Sequence, residues 1–161
     1  MKGWWGFLIR LHHVGVVVED LMSAISKFCR ALGVDEKKIV VHRGQYSTKD
    51  GEVEEFEYAF IPSGNGTMIE LVTPKSEGPT MRFLRKRGEG LFHLAFEVDD
   101  VYSTIEKFKE AGIPFAGENP TGELVSVFFH PKHAHGVLLQ VVKKGLFLPD
   151  GEINPETLLK T

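Results

Sequence analysis

Two stretches of this chain repeat one pattern at a separation of 80 residues. "LHHVGVVVEDLMSAISKF" begins at Leu11, and "LFHLAFEVDDVYSTIEKF" begins at Leu91. The residues that the two copies share are Leu11/Leu91, His13/His93, Val18/Val98, Asp20/Asp100, Ser23/Ser103, Ile25/Ile105, Lys27/Lys107, Phe28/Phe108 and Ala31/Ala111. Because internal self-similarity indicates a structural unit that is used more than once, we expect two similar modules, each with a histidine at the same place.

Each copy predicts the same order of secondary structure. "LHHVGVVV" alternates and is rich in β-branched residues, which predicts a strand, and Asp20 is a predicted N-cap of a helix that Gly33 ends. "LFHLAFEV" and Asp100 repeat this start in the second copy. The predicted apolar helix faces are Leu21, Ala24, Ile25, Phe28 and Leu32 in the first copy, and Val101, Ile105 and Phe108 in the second.

Three further strands are predicted after each helix. They lie at "KIVVHRGQYS", "EEFEYAFIPS" and "TMIELVTP" in the first copy, and near "PFAGENP", "LVSVFFHP" and "VLLQVVKK" in the second. The prediction is therefore an α+β fold of two βαβββ modules. Their bounds are 9–74 and 89–143, with a linker at 75–88 that includes a short helix, and a C-terminal tail at 144–161.

Composition narrows the functional classes. A formal charge of −3 and a pI of about 6.2 argue against nucleic acid as a partner. The linker carries a basic run, which we interpret as a solvated helix face; a phosphate-bearing substrate is the alternative. The apolar run at the N-terminus is too short for a membrane span, and the single cysteine, Cys29, is typical of a reducing compartment. We expect a cytoplasmic homodimer, in which Trp4 and Trp5 make a packing or dimer contact.

The register of Cys29 with Lys109 in the second copy predicts that this thiol lies on a helix surface or edge. A catalytic role for the thiol is therefore not expected.

The alternation of side chains along each first strand separates two faces. His13 shares a face with Gly15, and His93 shares one with Ala95, whereas the opposite faces are almost wholly apolar and should pack under the helices. The repeated histidines therefore point away from the helices, beside small residues that leave room for them.

The last strand of each copy carries a polar residue between apolar ones. These residues are Glu70 in "TMIELVTP" and Gln140 in "VLLQVVKK". A buried polar group needs a partner, and imidazole nitrogens with carboxylate or amide oxygens are ligands that a divalent cation accepts. Together with His13 and His93 they predict a metal site; the alternative is four core residues that are hydrogen-bonded separately.

The sequence resembles the vicinal oxygen chelate (glyoxalase/bleomycin resistance/dioxygenase) superfamily, and within it the methylmalonyl-CoA epimerases. The motifs that carry the resemblance are "LHHVGVVVEDL", "MIELVTP", "FLRKRGEGLFHLAFEVDDV" and "FFHPKHAHGVLLQVV". The resemblance implies that the two modules form curved mixed sheets around a metal-binding cavity. It also implies an isomerase acting on an acyl-CoA thioester, with a divalent metal ion (Co, Zn, Mn, Ni or Fe) held by His13, Glu70, His93 and Gln140. It also implies that the positions of Glu70 and Gln140 are catalytic.

Two departures from the family pattern leave the reaction open. Gln140 stands where these epimerases usually have a glutamate that is both a ligand and a proposed acid or base. "KDGEVEEFEY" replaces their usual "PEQG" segment and offers Glu52, Glu54, Glu55 and Glu57 as carboxylates for a second proton transfer. The alternatives are a glyoxalase-like or dioxygenase-like enzyme of the same superfamily, or a non-catalytic small-molecule binding protein with the same fold.

The segment "HPKHAHG" contains His130, His133 and His135. It suggests a second metal site, but Pro131 and Gly136 favour a turn before the last strand.

Overall fold

A computed structural model describes residues 9–47, 50–115 and 125–158. The strands are β1 (Arg10–Val17), β2 (His42–Ser47), β3 (Val53–Pro62), β4 (Met68–Pro74), β5 (Gly90–Val98), β6 (Ser126–Phe129) and β7 (Leu138–Lys143). The helices are α1 (Leu21–Leu32), α2 (Pro79–Arg87), α3 (Val101–Glu110) and α4 (Pro155–Leu158), with short 3-10 turns at Glu36–Lys38 and Pro131–His133. This is the predicted α+β class.

The described residues form two compact units. The first unit contains the described residues of 13–93 and 149–152, and the second contains those of 9–12, 94–148 and 153–158. These units do not test the predicted module bounds, which stay a prediction. No helix in the described ranges combines the length and apolarity needed to cross a membrane.

The first unit is built on the strand order β2-β3-β4-β1. β1 runs parallel to β4, whereas β2 with β3 and β3 with β4 are antiparallel, so the sheet is mixed as predicted. One face carries α1, and the core between them contains Val18, Leu21, Ile25, Cys29, Ala59, Ile61 and Leu71. The opposite face is left for the polar residues described below.

The second unit repeats this arrangement around α3. Its strand order is β5-β7-β6, and β6 and β7 are antiparallel. The core under α3 contains Val98, Val101, Ile105, Val127, Phe129 and Val141. Of the strand predicted near "PFAGENP", Pro114 and Phe115 lie outside any strand, and the rest falls outside the described residues.

The helix ends follow the local sequence. Asp20 accepts a hydrogen bond from Ser23 N at 2.9 Å, and Asp100 accepts one from Ser103 N at 3.1 Å. Gly33 ends α1 with a φ of 71°, which a residue without Cβ adopts at no steric cost. The predicted caps and this stop are confirmed.

The predicted surface position of Cys29 is wrong, and so is the predicted burial of Leu32. Cys29 is 1% exposed in the core and Leu32 is 50% exposed. Leu21, Ile25 and Cys29 lie four residues apart and therefore form one stripe against the sheet, while Leu32 ends the helix outside that stripe. In α3 the predicted face is confirmed.

The basic run of the linker lies on α2, whose residues Arg82, Arg85, Lys86 and Arg87 are all exposed. Arg82 pairs with Glu52 at 3.1 Å and Arg85 with Glu77 at 2.6 Å. This arrangement agrees with the interpretation of the basic run as a solvated helix face.

We predict that Leu71→Ala lowers the free energy of unfolding by about 3 kcal/mol, because it leaves a cavity in the core under α1. The matched control is Leu32→Ala, the same change at an exposed helix position, which should cost less than about 0.5 kcal/mol. Urea unfolding followed by circular dichroism measures both. Equal effects would contradict the assigned core.

Candidate metal centre

His13, Glu70 and His93 meet on the face of the first unit that is turned away from α1. Within β1, His13 and Gly15 alternate with the residues that pack under the helix, and Gly15 lies level with Glu70 of the parallel neighbour β4. All three polar side chains are buried, with exposures of 1% for His13, 7% for Glu70 and 6% for His93. The face predicted from strand alternation is therefore confirmed for these residues.

The three side chains direct their polar atoms at one point. The two Nε2 atoms are 3.1 Å apart. The Glu70 carboxylate places one oxygen 3.9 Å from His13 Nε2 and the other 3.6 Å from His93 Nε2. Among the described residues this is the one group of three or more potential ligands that lies within 4.8 Å.

These separations fit one ion. Bonds of about 2.0–2.2 Å from a metal to nitrogen or oxygen place neighbouring ligand atoms roughly 3–3.6 Å apart, and never more than about 4.4 Å. The distances of 3.1, 3.6 and 3.9 Å lie within that limit. The residues present therefore have the chemistry and the spacing to hold a divalent cation.

Gly15 makes room for His93. A Cβ at position 15 would lie 2.2 Å from Cε1 and 2.3 Å from Nδ1 of the His93 ring. Because real Cβ atoms do not approach that closely, any larger residue would move the imidazole. The small residue that the sequence placed beside the histidine is thus a condition for the cluster.

An aromatic wall borders the cluster and was not predicted. Phe60 of β3 lies level with Glu70, and its ring centroid is 5.0 Å from that of His13. Tyr58 contacts Phe60 at 5.8 Å, and both side chains are 3% exposed. The signal was the alternation in "EFEYAF", which puts Phe56, Tyr58 and Phe60 on one face of a strand.

Gln140 occupies in the second unit the place that Glu70 has in the first. It lies opposite Phe128 on the neighbouring strand, as Glu70 lies opposite Phe60. Its Nε2 donates to Ser126 Oγ at 3.0 Å, while its buried Oε1 has no hydrogen-bond partner among the described residues. Sequence reasoning missed Ser126. The structure brings three of the four predicted ligands together, and the part played by Gln140 stays a prediction.

The glutamates proposed for a second proton transfer lie elsewhere. Glu55 and Glu57 share the α1 face of β3 with Ala59. Glu54 is on the cluster's face but six residues before Phe60, roughly 20 Å along the strand. It is 2% exposed and accepts from Thr80 N at 3.0 Å, at the start of α2.

Two other histidines have contacts within their own unit. His12 stacks on Phe147 at 5.3 Å on the packing face, and burial lowers the pKa of its imidazole. His130 accepts from Lys132 N at 3.1 Å and begins the 3-10 turn. The turn interpretation of "HPKHAHG" agrees with this structure.

Burial controls the protonation of Glu70. Removal from water disfavours the charged carboxylate and raises the pKa of Glu70 to about 8 in the absence of a metal. The metal-free folded protein therefore binds a proton at neutral pH that the unfolded chain has released.

Comparisons with known proteins agree with this geometry. A family model described as the Glyoxalase/Bleomycin resistance protein/Dioxygenase superfamily matches residues 12–129. An ethylmalonyl-CoA/methylmalonyl-CoA epimerase of Cereibacter sphaeroides is 32% identical over 139 residues, covering 82% of this chain and 96% of that protein. A mitochondrial methylmalonyl-CoA epimerase of Mus musculus is 30% identical over 138 residues, covering 82% and 71%.

A solved structure extends the likeness to the fold. The crystal structure of methylmalonyl-CoA epimerase from Mycobacterium tuberculosis superposes with a TM-score of 0.66 at 27% identity, covering 88% of this chain and 93% of that one.

We predict that the metal-free protein loses stability as the pH rises from about 4.5 to about 8. In that window the unfolded chain has lost the Glu70 proton while the folded state keeps it. Each pH unit therefore lowers the free energy of unfolding by up to about 1.4 kcal/mol. Urea unfolding in the presence of a chelator measures this slope. Glu70→Gln should flatten it, and a variant that keeps the full slope would contradict the assignment to Glu70.

Proposed function

Because this chain belongs to the glyoxalase/bleomycin resistance protein/dioxygenase superfamily, we propose that it is a metal-dependent isomerase acting on acyl-CoA thioesters such as methylmalonyl-CoA. The observation that carries the proposal is the convergence of His13, Glu70 and His93 within 4.8 Å. The relatives named above are methylmalonyl-CoA epimerases, which supports inversion at the carbon next to the thioester carbonyl.

We assign the ion to His13, Glu70, His93 and Gln140. Two imidazoles with oxygen donors suit a divalent Co, Zn, Mn, Ni or Fe ion. The orphaned Oε1 of Gln140 is the kind of buried acceptor that a cation satisfies. When bound, the ion supplies a positive charge that makes the carbon beside a thioester carbonyl more acidic.

Glu70 is the proposed proton-transfer group of the chain, because it is the anionic member of the set. Gln140 has no such role, since a neutral amide has no useful basicity near neutral pH. The glutamates of β3 and its approach are engaged or turned away, as described above. We infer that the proton on the opposite side of the substrate is exchanged with a water molecule.

The buried surroundings serve this chemistry in two ways. Phe60 and Tyr58 form an apolar wall that limits the access of water to the Glu70 side of the site. Gly15 leaves His93 in the orientation that directs its Nε2 at the carboxylate. Neither the wall nor Gly15 adds charge to the site.

A cytoplasmic location and a homodimeric assembly stay predictions. The glyoxalase-like, dioxygenase-like and non-catalytic alternatives are separated from the proposal by the two experiments that follow.

We predict that the protein binds one Co²⁺ ion per chain and that a chelator removes it on dialysis. His13→Ala and His93→Ala should each abolish binding, because each removes a nitrogen donor. Gln140→Glu should raise the affinity, because a second carboxylate adds negative charge to the ligand set. Isothermal titration calorimetry on the metal-free protein measures all three.

The matched control is His133→Ala, which alters an exposed histidine of the 3-10 turn and should leave the affinity unchanged. Unchanged Co²⁺ binding in both His13→Ala and His93→Ala would reject the ligand assignment. If the wild-type protein binds no divalent ion, the hypothesis of a non-catalytic small-molecule binding protein would be favoured over the metal-dependent isomerase.

We predict that the metal-loaded protein incorporates deuterium at the α-carbon of (2R)- or (2S)-methylmalonyl-CoA in deuterated water. Glu70→Gln should remove the exchange, because the amide cannot take the proton. Gln140→Glu should preserve or raise it. Proton NMR or mass spectrometry of the substrate follows the exchange.

The metal content of Glu70→Gln is the control, since exchange must be compared at equal occupancy. A metal-loaded wild type that exchanges no acyl-CoA would end the epimerase proposal, and a glyoxalase-like or dioxygenase-like substrate would then be sought.

A further inference from the structure

The loop between Phe147 and Ile153 reaches the aromatic wall beside the candidate metal centre. Phe147 and Ile153 form an antiparallel bridge, and the tip of the loop, residues 149–152, belongs to the first unit. Tyr58 donates from its hydroxyl to Gly151 O at 2.9 Å, and His42 Nε2 lies 3.0 Å from Asp150 O. The tip lies outside residues 12–129, the part matched by the family model.

Gly151 presses its backbone on Phe60. Its φ is +94°, and a Cβ at this position would lie 2.5 Å from Phe60 Cδ2 and 3.2 Å from Cε2. On another side the Phe60 ring contacts the His13 imidazole, with centroids 5.0 Å apart and planes inclined by 47°. Phe60 is therefore in contact with both the tip and the histidine.

The wall has little freedom to absorb a displacement. Phe60 is 3% exposed and Tyr58 packs against it edge-on at 5.8 Å, while Ala59 and Ile61, its neighbours along β3, are 0% exposed in the core under α1. Because close-packed interiors transmit displacement, a ring pushed from the tip must move toward His13 or leave its rotamer.

We propose that the tip, residues 149–152, is a positioning element for His13. The Gly151 backbone holds the Phe60 ring against the imidazole, and the Tyr58 hydroxyl holds Gly151 in place. Through this contact the tip sets the direction in which His13 Nε2 faces Glu70. The consequence for metal affinity rests on the proposed function, whereas the positioning of the ring does not.

The test compares two alanine substitutions at glycines with nearly the same positive φ. Gly151→Ala adds a methyl group against Phe60, whereas Gly64→Ala, at a φ of +96°, adds one where nothing lies within 4 Å. In the metal-free protein, Gly151→Ala should shift the Cε1–Hε1 NMR signal of His13, because the ring current of Phe60 moves relative to it. Gly64→Ala should leave this signal in place.

The same pair separates metal affinity from stability. Changes in residues that orient a ligand typically cost 10–100-fold in metal affinity, so Gly151→Ala should weaken Co²⁺ binding about tenfold or more. Gly64→Ala should keep the wild-type affinity, although it also places an alanine at a positive φ. In a Phe60→Leu background, Gly151→Ala should lose most of its effect, because the ring that transmits the displacement is absent.

Tyr58→Phe provides a second variant in case Gly151→Ala does not fold. It removes one hydroxyl and its hydrogen bond to Gly151 O. Amide hydrogen exchange of residues 150–152 should accelerate, and the His13 signal should shift in the same variant.

The outcomes are decisive in each arm. A His13 signal unchanged in both Gly151→Ala and Tyr58→Phe would overturn the positioning role. A shifted His13 signal in a protein that binds no Co²⁺, even as wild type, would support the positioning role and contradict the proposed metal site instead.

Discussion

The enclosed carboxyl group of Glu70 is the constraint on which the rest of the first unit depends. A carboxylate removed from water is stable only beside a cation, a proton or several hydrogen-bond donors. The two imidazole Nε2 atoms lie 3.6 and 3.9 Å from its oxygens. The site can therefore exist in a protonated form or around a cation, and the same burial that raises the pKa of Glu70 to about 8 in the first form favours the second.

The two units bury a polar side chain at the equivalent strand position, an ionisable carboxyl group in the first unit and a neutral amide in the second. Glu70 is opposite Phe60 and Gln140 is opposite Phe128, so the backbone places both side chains in the same register. The amide of Gln140 avoids the cost of a buried charge, and Ser126 satisfies one end of it. Its unpaired Oε1 is the remaining cost, which a cation would offset.

Local patterns in the sequence predicted the parts of the fold that local physics determines. Asp20 and Asp100 precede apolar helix faces, and strand alternation separated His13 from the core residues that pack under α1. The local sequence did not determine which residue at the end of α1 faces the sheet. Packing against the sheet chose Cys29 over Leu32, although hydrophobicity alone favours the leucine.

Contacts between distant segments were beyond the reach of pattern reasoning. Glu54 binds the start of α2 from 26 residues away, and Tyr58 binds Gly151 from 93 residues away. Neither contact leaves a periodic trace in the sequence, because a single backbone atom is the partner in each. A glycine in a tail is typical of a turn, and the ring that forbids a larger residue there is visible only in three dimensions.

Because position 140 is a glutamine, the affinity of the proposed site for its ion depends more on the residues that orient the two histidines. With one carboxylate instead of two, a divalent ion would keep a net charge of about +1 with its ligands, which strengthens its pull on a carbonyl oxygen and weakens its own binding. A weakly held ion depends more on ligands that are already oriented before it arrives, since it cannot supply the free energy to reorient them. Gly15 orients His93 by leaving space for its ring. Phe60, in contact with Gly151, would orient His13 in the same way. The two glycines, Gly15 and Gly151, would therefore keep both histidines oriented for an ion that the neutral Gln140 binds only weakly.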